Sequence, residues 1–238
     1  MVAAVAAAGA SALLAACSAT VPGTAVVAVH ADPATAPLPL DQVLPTAAEL
    51  ATTLGGWAIG GQGFMGQLVE GGPDVLLAGV GQSEATPVDC VGASYRLQRV
   101  VYGASPVRAV ASRSWAGGGS AGPTSSAFFG VVKLASAGDA RAFFAATADK
   151  WRGCDGTTVV LDQADRELRS STRITEVTAG DRIVSAVLVR DADGVIVQRA
   201  LGVGSDCIVD VEVSGADGDG AVDAVDIAAL MLRKATGS

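Results

Sequence analysis

Residues 125–154, SSAFFGVVKLASAGDARAFFAATADKWRGC, decide the fold of this chain. Positions 128–134 are apolar and rich in β-branched side chains, which predicts a strand that is buried on both faces. Ser136 can cap a helix, because Asp139 follows three residues later in the pattern of a capping box. Apolar residues then recur at helical spacing as far as Trp151, so we expect this helix to lie on a sheet and to supply much of its core.

The composition of the 238-residue chain argues against several functional classes. Half of the residues are hydrophobic but only 4% are aromatic, which predicts a core of many strands and small side chains. The net charge of −8 disfavours nucleic acid as a partner and disfavours adsorption to anionic lipid. Because His30 is the only histidine, a zinc site and a Ser-His-Asp triad are also disfavoured.

The N-terminus is typical of an exported lipoprotein. Residues 2–16 form an uninterrupted run of small and apolar residues, which is too short to span a membrane and has the length of a signal-peptide core. The run leads into Leu-Ala-Ala-Cys17, which resembles the bacterial lipobox, although no Lys or Arg precedes it. We therefore predict a lipoprotein signal peptide at 1–16, lipidation of Cys17, a flexible tether at 17–39 and a folded domain at 40–238.

These boundaries predict a protein that is anchored by lipid to the extracytoplasmic face of the cell membrane. The predicted tether is rich in Ser, Ala, Thr and Pro, a composition that holds a domain away from its anchor. The alternative is a cytosolic protein with an alanine-rich N-terminus.

The remaining pattern predicts an α+β domain, an antiparallel β-sheet packed against helices. Thr46 and Glu49 form a capping box for a short helix that ends at a pair of glycines. Residues 56–81 are glycine-rich and predict a long loop with one strand at 75–77, while 95–102 fits either a helix or a strand. The other predicted strands lie at 107–115, 157–161, 171–177, 182–190, 195–202 and 208–213, and the last helix at 222–235.

Oxidation is expected for an exported chain with four cysteines. If Cys17 is lipidated, then Cys90, Cys154 and Cys207 remain, and three single pairings are possible. A bond between Cys90 and Cys154, which lie 64 positions apart, would stabilise the domain by about 4 kcal/mol on the loop-entropy model. Cys207 begins a predicted strand and could equally be a buried apolar residue.

In the order of its landmarks the chain resembles the PknH-like extracellular domain family. The shared segments are 44–50 (LPTAAEL), 87–90 (PVDC), 102–103 (YG), 151–154 (WRGC), 198–201 (QRAL) and 208–211 (IVDV), followed by the final helix. The resemblance spans residues 40–236. It implies an antiparallel sheet with packed helices and an open, largely apolar cleft that binds an undefined ligand outside the membrane. It implies no catalytic residues.

The resemblance also bears on the cysteines. Family members usually carry a second disulfide with one cysteine just before the QRAL segment, and here Val197 stands in that place. The resemblance therefore implies that the bond between Cys90 and Cys154 is retained and that Cys207 is unpaired.

The function predicted on this basis is a non-catalytic extracellular sensor domain that binds a small molecule or an envelope component in the cleft. Trp115 and Trp151 are the large apolar residues best suited to line that cleft. Core packing is the alternative role for both tryptophans, and for Trp151 it is the favoured one.

A second hypothesis is a calcium-binding interaction module. Residues 215–226 resemble a dockerin or EF-hand loop with glycine at position six, but Gly215 stands where an aspartate is expected. The candidate calcium ligands are Asp217, Asp219, Asp223 and Asp226. An acidic turn that caps the last helix explains the same residues.

A hydrolase is the least favoured hypothesis. Asp162, Asp165 and Glu167 could supply a carboxylate pair, but they lie in a polar segment that is typical of a solvated loop. His30 lies in the predicted tether, away from any nucleophile. We therefore expect no enzyme activity and no cofactor.

Overall fold

A ten-stranded antiparallel β-sheet organises the domain in the computed structural model. The structure describes residues 39–53, 63–117, 125–191, 194–215 and 223–237. The strands are β1 (Phe64–Met65), β2 (Val69–Gly71), β3 (Ala85–Thr86), β4 (Val107–Gly117), β5 (Ser125–Leu134), β6 (Thr158–Gln163), β7 (Leu168–Ala179), β8 (Ile183–Arg190), β9 (Ile196–Gly204) and β10 (Cys207–Gly215). The helices are α1 (Leu40–Val43), α2 (Ala47–Thr53), α3 (Val91–Ser94), α4 (Arg99–Tyr102), α5 (Ala137–Gly153) and α6 (Ala224–Thr236). The predicted α+β class with an antiparallel sheet is confirmed.

The strand order is β1–β4–β5–β10–β9–β8–β7–β6–β3, and β2 also pairs with β4. Strands β6 to β10 follow one another as a meander of antiparallel neighbours. The central pairing of β5 with β10 instead joins distant parts of the chain, with Val131 opposite Val209.

Strand β5 is buried on both faces, as its composition predicts. Phe129 and Val131 belong to the hydrophobic cluster that contains α6, whereas Val132 and Leu134 belong to the cluster that contains α5. Because successive side chains of a strand point to opposite faces, the sheet has one face covered by α5 and another covered by α6. We call these the α5 face and the α6 face.

Both long helices begin at a side-chain cap, and the cap of α5 is the one predicted from the sequence. The Ser136 hydroxyl accepts a hydrogen bond from the N–H of Asp139 at 3.1 Å, which satisfies a free donor in the first turn of α5. The Asp223 carboxylate accepts one from the N–H of Val225 at 2.8 Å and caps α6 in the same way. Gly237, in the left-handed conformation at φ 68°, ends α6.

The glycine-rich segment departs from its prediction. Within the described part of 56–81, β1 and β2 pair with β4. The strand predicted at 75–77 is wrong, because Pro73–Val75 forms a single 3-10 turn and Leu77 makes only an isolated parallel bridge with Gln98. Proline fixes φ and has no N–H, which suits the start of a turn better than a strand ladder.

Candidate functional site

The α5 face contains an ion pair that is fully buried near the centre of the sheet. Arg199 on β9 donates from Nη2 to Oδ1 of Asp210 on β10 at 2.6 Å, and both side chains are almost completely inaccessible. The remaining Arg199 donors point to the backbone carbonyls of Val211 at 3.3 Å and Ala93 at 3.4 Å. A buried charge is tolerated only with such partners, because removing an ion from water costs about 5 kcal/mol.

Asp210 also fixes the segment that leads into α4. Its Oδ2 accepts hydrogen bonds from the N–H of Leu97 at 2.9 Å and from the hydroxyl of Tyr102 at 3.0 Å. Burial, followed by the neighbouring Asp210 charge, raises the pKa of the Tyr102 phenol well above its usual value. The phenol therefore stays protonated at neutral pH and remains a donor to Asp210.

A second carboxylate extends this group towards the surface. Glu212 forms an ion pair with Arg96, and Arg190 lies 3.7 Å from the same carboxylate oxygen. The Arg96 guanidinium also lies over the ring of Phe128, 4.4 Å from its centroid. We call Arg199, Asp210, Tyr102, Glu212 and Arg96 the buried polar cluster.

Trp151 and the disulfide lie on the helix side of this cluster. The Trp151 ring is fully buried, with its centroid 5.7 Å from the Arg199 guanidinium carbon. Cys154 is bonded to Cys90 with an S–S distance of 2.01 Å, so the predicted disulfide is confirmed. Cys207 is unpaired, as expected, and burial, together with its neighbour Asp206, raises the pKa of its thiol to about 12.

The landmarks that carried the resemblance meet in this region. Tyr102, Trp151, Arg199 and Asp210 come from separate segments of the sequence, and hydrogen bonds or ring contacts join them. The pairing of Arg199 with Asp210 was not predicted. Its detectable signal was a charged residue at an inward position of an otherwise apolar strand.

A pocket of about 550 Å³ lies between α5 and the turns that join β7 to β8 and β9 to β10. Its lining includes Arg141, Arg152, Arg182, Phe144, Ala148 and Val203. We call it the arginine pocket. Arg182 is held by a hydrogen bond from its Nε to the carbonyl of Val203 at 3.3 Å, and Arg152 pairs with Asp149 at 2.5 Å. Three arginines face two aspartates here, which gives a local excess of positive charge in a chain of net charge −8.

A second pocket, of about 300 Å³, lies on the opposite flank of α5. Its lining includes Asp89, Gly92, Phe143, Thr147, Lys150 and Trp151. We call it the disulfide-side pocket, because its lining residues Asp89 and Gly92 lie on either side of the disulfide cysteine Cys90 in the sequence. Asp89 and Lys150 form an exposed ion pair at 2.9 Å.

The two tryptophans predicted to line one cleft lie on opposite faces of the sheet. Trp115, on β4, is buried in the α6-face cluster, and Trp151 is buried in the α5-face cluster. One pocket therefore does not contain both rings. Trp151 borders the disulfide-side pocket, and its role in ligand binding stays a prediction.

The carboxylates considered for a hydrolase are all exposed, and two of them lie in the turn of a β-hairpin. Asp162 belongs to β6, which continues to Gln163, and a 3-10 turn containing Asp165 leads directly into β7. Glu167 ends that turn in the left-handed conformation at φ 51°. The segment is a tight β-hairpin, because the ladder with β7 runs to the end of β6.

The proposed calcium loop is only partly described. Asp217 and Asp219 lie outside the described residues. Asp223 is the cap of α6 and Asp226 lies in its first turn, positions that helix capping alone explains. Within the described residues, no group of three or more His, Cys, Asp or Glu is arranged to hold a metal ion. Calcium binding stays a prediction.

Residues 1–38, which include Cys17 and the predicted signal peptide, lie outside the described residues. Among the helices that the structure describes, none has the length and apolar character needed to cross a membrane. The lipid anchor therefore stays a prediction.

Comparison with known proteins gives a family and a fold. The family described as PknH-like extracellular domain matches residues 35–234. The extracellular domain of PknH from Mycobacterium tuberculosis is similar in structure, with a TM-score of 0.67 and 23% identity over 85% of this chain and 98% of that one. A putative uncharacterized protein from Mycobacterium smegmatis, an Rv0999 ortholog, has a TM-score of 0.43 and 12% identity over 84% and 97% of the two chains. No curated protein matches the chain.

Proposed function

The chain belongs to the PknH-like extracellular domain family, and on that premise we propose that it is a non-catalytic, lipid-anchored binding protein of the cell envelope whose ligand occupies the arginine pocket. Membership places the domain among extracytoplasmic proteins. The observation that carries the proposal is a pocket of about 550 Å³ whose lining combines three arginines with apolar side chains. That volume lies within the range of sites for small molecules, roughly 300–1,000 Å³.

The lining favours a ligand that combines an anionic group with an apolar body. Phe144, Ala148 and Val203 provide apolar surface, which is best covered by hydrocarbon or an aromatic ring. Arg141 and Arg182 provide planar guanidinium donors that match carboxylate, sulfonate or phosphate oxygens. The hydrogen bond from Nε of Arg182 to the carbonyl of Val203 restricts this side chain before a ligand binds. Less side-chain entropy is therefore lost on binding.

We propose that a lipid anchor at Cys17 holds the domain near the membrane surface. Lipidation of Cys17 would leave about twenty residues of tether before α1, a length that keeps the domain near the bilayer without burying it. Mass spectrometry of the protein purified from its native membrane tests this part. We expect a mature chain that starts at Cys17 with a diacyl mass, whereas an unprocessed N-terminus would contradict the anchor.

A pair of fluorescent probes that differ in charge tests the pocket. Anilinonaphthalene sulfonate carries an anionic group on an apolar body, and N-phenyl-1-naphthylamine is its neutral counterpart. We expect the purified protein to bind the sulfonate about tenfold more tightly than the neutral probe, which corresponds to about 1.4 kcal/mol. Arg141→Gln combined with Arg182→Gln removes that preference.

A filled pocket gives the second arm of the test. Ala145 lines the arginine pocket and is exposed, so Ala145→Trp occupies the space without entering the core. Ala142→Trp is the matched control, because Ala142 is exposed on the same helix and outside the lining. Loss of sulfonate binding in Ala145→Trp alone supports the proposal. Equal binding by both tryptophan variants and the wild type would place the probe elsewhere and reject it.

A further inference from the structure

The α5 wall of the arginine pocket is a single helical stripe with a charged residue at each end. Its members recur at helical spacing and share one side of the helix: Arg141, Phe144, Ala145, Ala148, Asp149 and Arg152. The first and last arginines are eleven residues apart, which corresponds to about 16 Å along the helix axis. The wall therefore runs from one charged end, over an apolar middle, to a second charged end.

The two ends differ in whether their arginines are already paired. Arg152 forms an ion pair with Asp149 at 2.5 Å, and both side chains are more than half exposed. Among the described residues, neither Arg141 nor Arg182 forms an ion pair with a carboxylate. We call Asp149 and Arg152 the paired end of the pocket.

Arg182 lies at the same end as Arg141. A Cβ at Gly204 would lie 3.2 Å from Nη2 of Arg182, so this guanidinium lies beside the β9–β10 turn. In that turn the carbonyl of Asp206 accepts a hydrogen bond from the N–H of Leu134 at 2.8 Å, three residues before α5 begins. The turn is thus a neighbour of the first turns of α5. We call Arg141 and Arg182 the anion end of the pocket.

The charge balance of the lining favours a monoanion. Three arginines line the pocket against two aspartates, which gives a net charge of +1. Asp181 offsets one of the two arginines of the anion end, and the paired end is neutral by itself. A carboxylate complements this balance better than a dianion such as a phosphate monoester.

The middle of the pocket has an apolar floor. Phe144, Ala148 and Val203 turn only a small part of their surface outward, and Ala145 beside them is exposed. A polar group over these side chains would lose water without gaining a hydrogen bond from them. Methylene groups avoid that loss, so an alkyl chain is the body that suits this part.

We propose that the ligand of the arginine pocket is an unbranched ω-hydroxy carboxylate, with its carboxylate at the anion end and its hydroxyl group at the paired end. The hydroxyl group can donate to the carboxylate of Asp149 and accept from the guanidinium of Arg152. A methyl group in the same place would remove water from both charges and replace none of its hydrogen bonds. This assignment rests on the proposed function, and it adds a second recognised group and a required length to it.

Titration calorimetry with short synthetic probes tests the assignment. The probes are octanoate, 8-hydroxyoctanoate and the uncharged 1,8-octanediol. We expect 8-hydroxyoctanoate to bind about fivefold more tightly than octanoate, as one added hydrogen bond implies, and octanediol to bind at least about tenfold more weakly than octanoate. Butanoate and 4-hydroxybutanoate should not differ, because the shorter chain does not reach from one end of the pocket to the other.

Two charge-balanced double variants locate the hydroxyl group. Asp149→Ala with Arg152→Ala removes the paired end without changing the net charge, so the advantage of 8-hydroxyoctanoate should disappear while octanoate binds as before. Asp89→Ala with Lys150→Ala is the matched control, because it removes another exposed ion pair, at 2.9 Å, from the opposite flank of α5. The control should keep the fivefold advantage. Thermal unfolding verifies that both variants are folded.

The possible failures are distinguishable. Equal affinity for octanoate and 8-hydroxyoctanoate would overturn the ω-hydroxy assignment and leave the proposed function intact, since that function requires only the anionic group and the apolar body. An advantage that survives in the Asp149→Ala, Arg152→Ala variant would place the hydroxyl group elsewhere and overturn the assignment as well. Absence of binding by the carboxylates and by anilinonaphthalene sulfonate would reject the proposed function together with the assignment.

Discussion

The two faces of the sheet are built on different principles. The α6 face is sealed by apolar side chains such as Trp115, Phe129, Ile227 and Met231, all 6% exposed or less. The α5 face contains the charged residues that are buried among the described ones: Arg199, Asp210 and Glu212. It also borders two pockets, one on each flank of α5.

The charged side chains near the α6 face lie at its edge and are partly exposed. Lys234 donates to the carbonyl of Leu44 at 2.7 Å and to Glu49 at 2.8 Å, with both side chains partly exposed. Burial acts to raise the pKa of Glu49, but hydrogen bonds from Lys234 and Thr46 outweigh it and lower the pKa. The comparison teaches that both faces bury a large apolar cluster, and that among the described residues only the α5 face adds buried charges to it.

The largest expected effect comes from breaking the buried ion pair. Arg199→Met leaves the Asp210 carboxylate buried without its cation, so we expect a loss of about 3–5 kcal/mol in the free energy of unfolding. Met231→Leu, a swap of similar size on the α6 face, should cost less than about 1.5 kcal/mol. Urea unfolding of the two variants measures both values.

A double variant separates charge from packing. Adding Asp210→Asn to Arg199→Met removes the stranded charge while keeping an acceptor for Tyr102, so at least about 1 kcal/mol should return. If Arg199→Met alone is as stable as Met231→Leu, the two faces do not differ in the way described.

The next effect concerns the disulfide, which staples only the α5 side. Replacing Cys90 and Cys154 by alanine should cost about 2–4 kcal/mol, because the unfolded chain regains the freedom of a long loop. Cys207→Ala is the contrast on the α6 face and should cost about 1 kcal/mol through lost packing. Thermal unfolding with and without reductant distinguishes them, since reductant should destabilise the wild type and Cys207→Ala but not the double alanine variant.

The smallest effect depends on pH. Tyr102→Phe removes one hydrogen bond to Asp210 and should cost about 1–2 kcal/mol at neutral pH. The pKa of Tyr102 is raised in the folded state, so the stability tied to its proton is complete below the unfolded value near 10 and is lost as pH rises above it. The gap between wild type and variant should therefore shrink above pH 10.

Denaturant unfolding at pH 7 to 11 checks this sign. Cys207, with a pKa raised to about 12, is present in both proteins and its titration cancels in the difference. A gap that stays constant or widens on the alkaline side would show that the phenol does not keep its proton longer in the folded chain.

Local pattern was enough to predict much of the fold. Ser136 and Asp139 marked the start of α5, and the apolar run at 128–134 marked a strand with two buried faces, because capping and periodicity act within a few residues. The glycine-rich segment around Pro73 was predicted wrongly. Its strands, β1 and β2, are only two and three residues long and form through their pairing with β4. Strands of this length are too short to show an alternation of apolar and polar residues in the sequence.

The candidate sites were much less predictable. Arg199 and Asp210 were visible as family landmarks, but their pairing depends on the register between β9 and β10. Trp115 and Trp151 were expected to share a cleft, and only the strand order shows that they lie on opposite faces. A pocket is defined by residues from several elements, so its lining follows from packing and not from spacing along the chain.

The central pairing of β5 with β10 also sets the order in which the chain can fold. Strand β5 pairs with β4 from nearby sequence, but its other neighbour, β10, is the last strand among the described residues. Pairing of distant segments is slow, because loop-closure entropy is lost before contacts compensate for it. Until β10 arrives, β5 and β9 each present an open edge that another chain can join. We therefore expect these two edges to stay open to aggregation until β10 has been synthesised, because β10 is the strand that joins them.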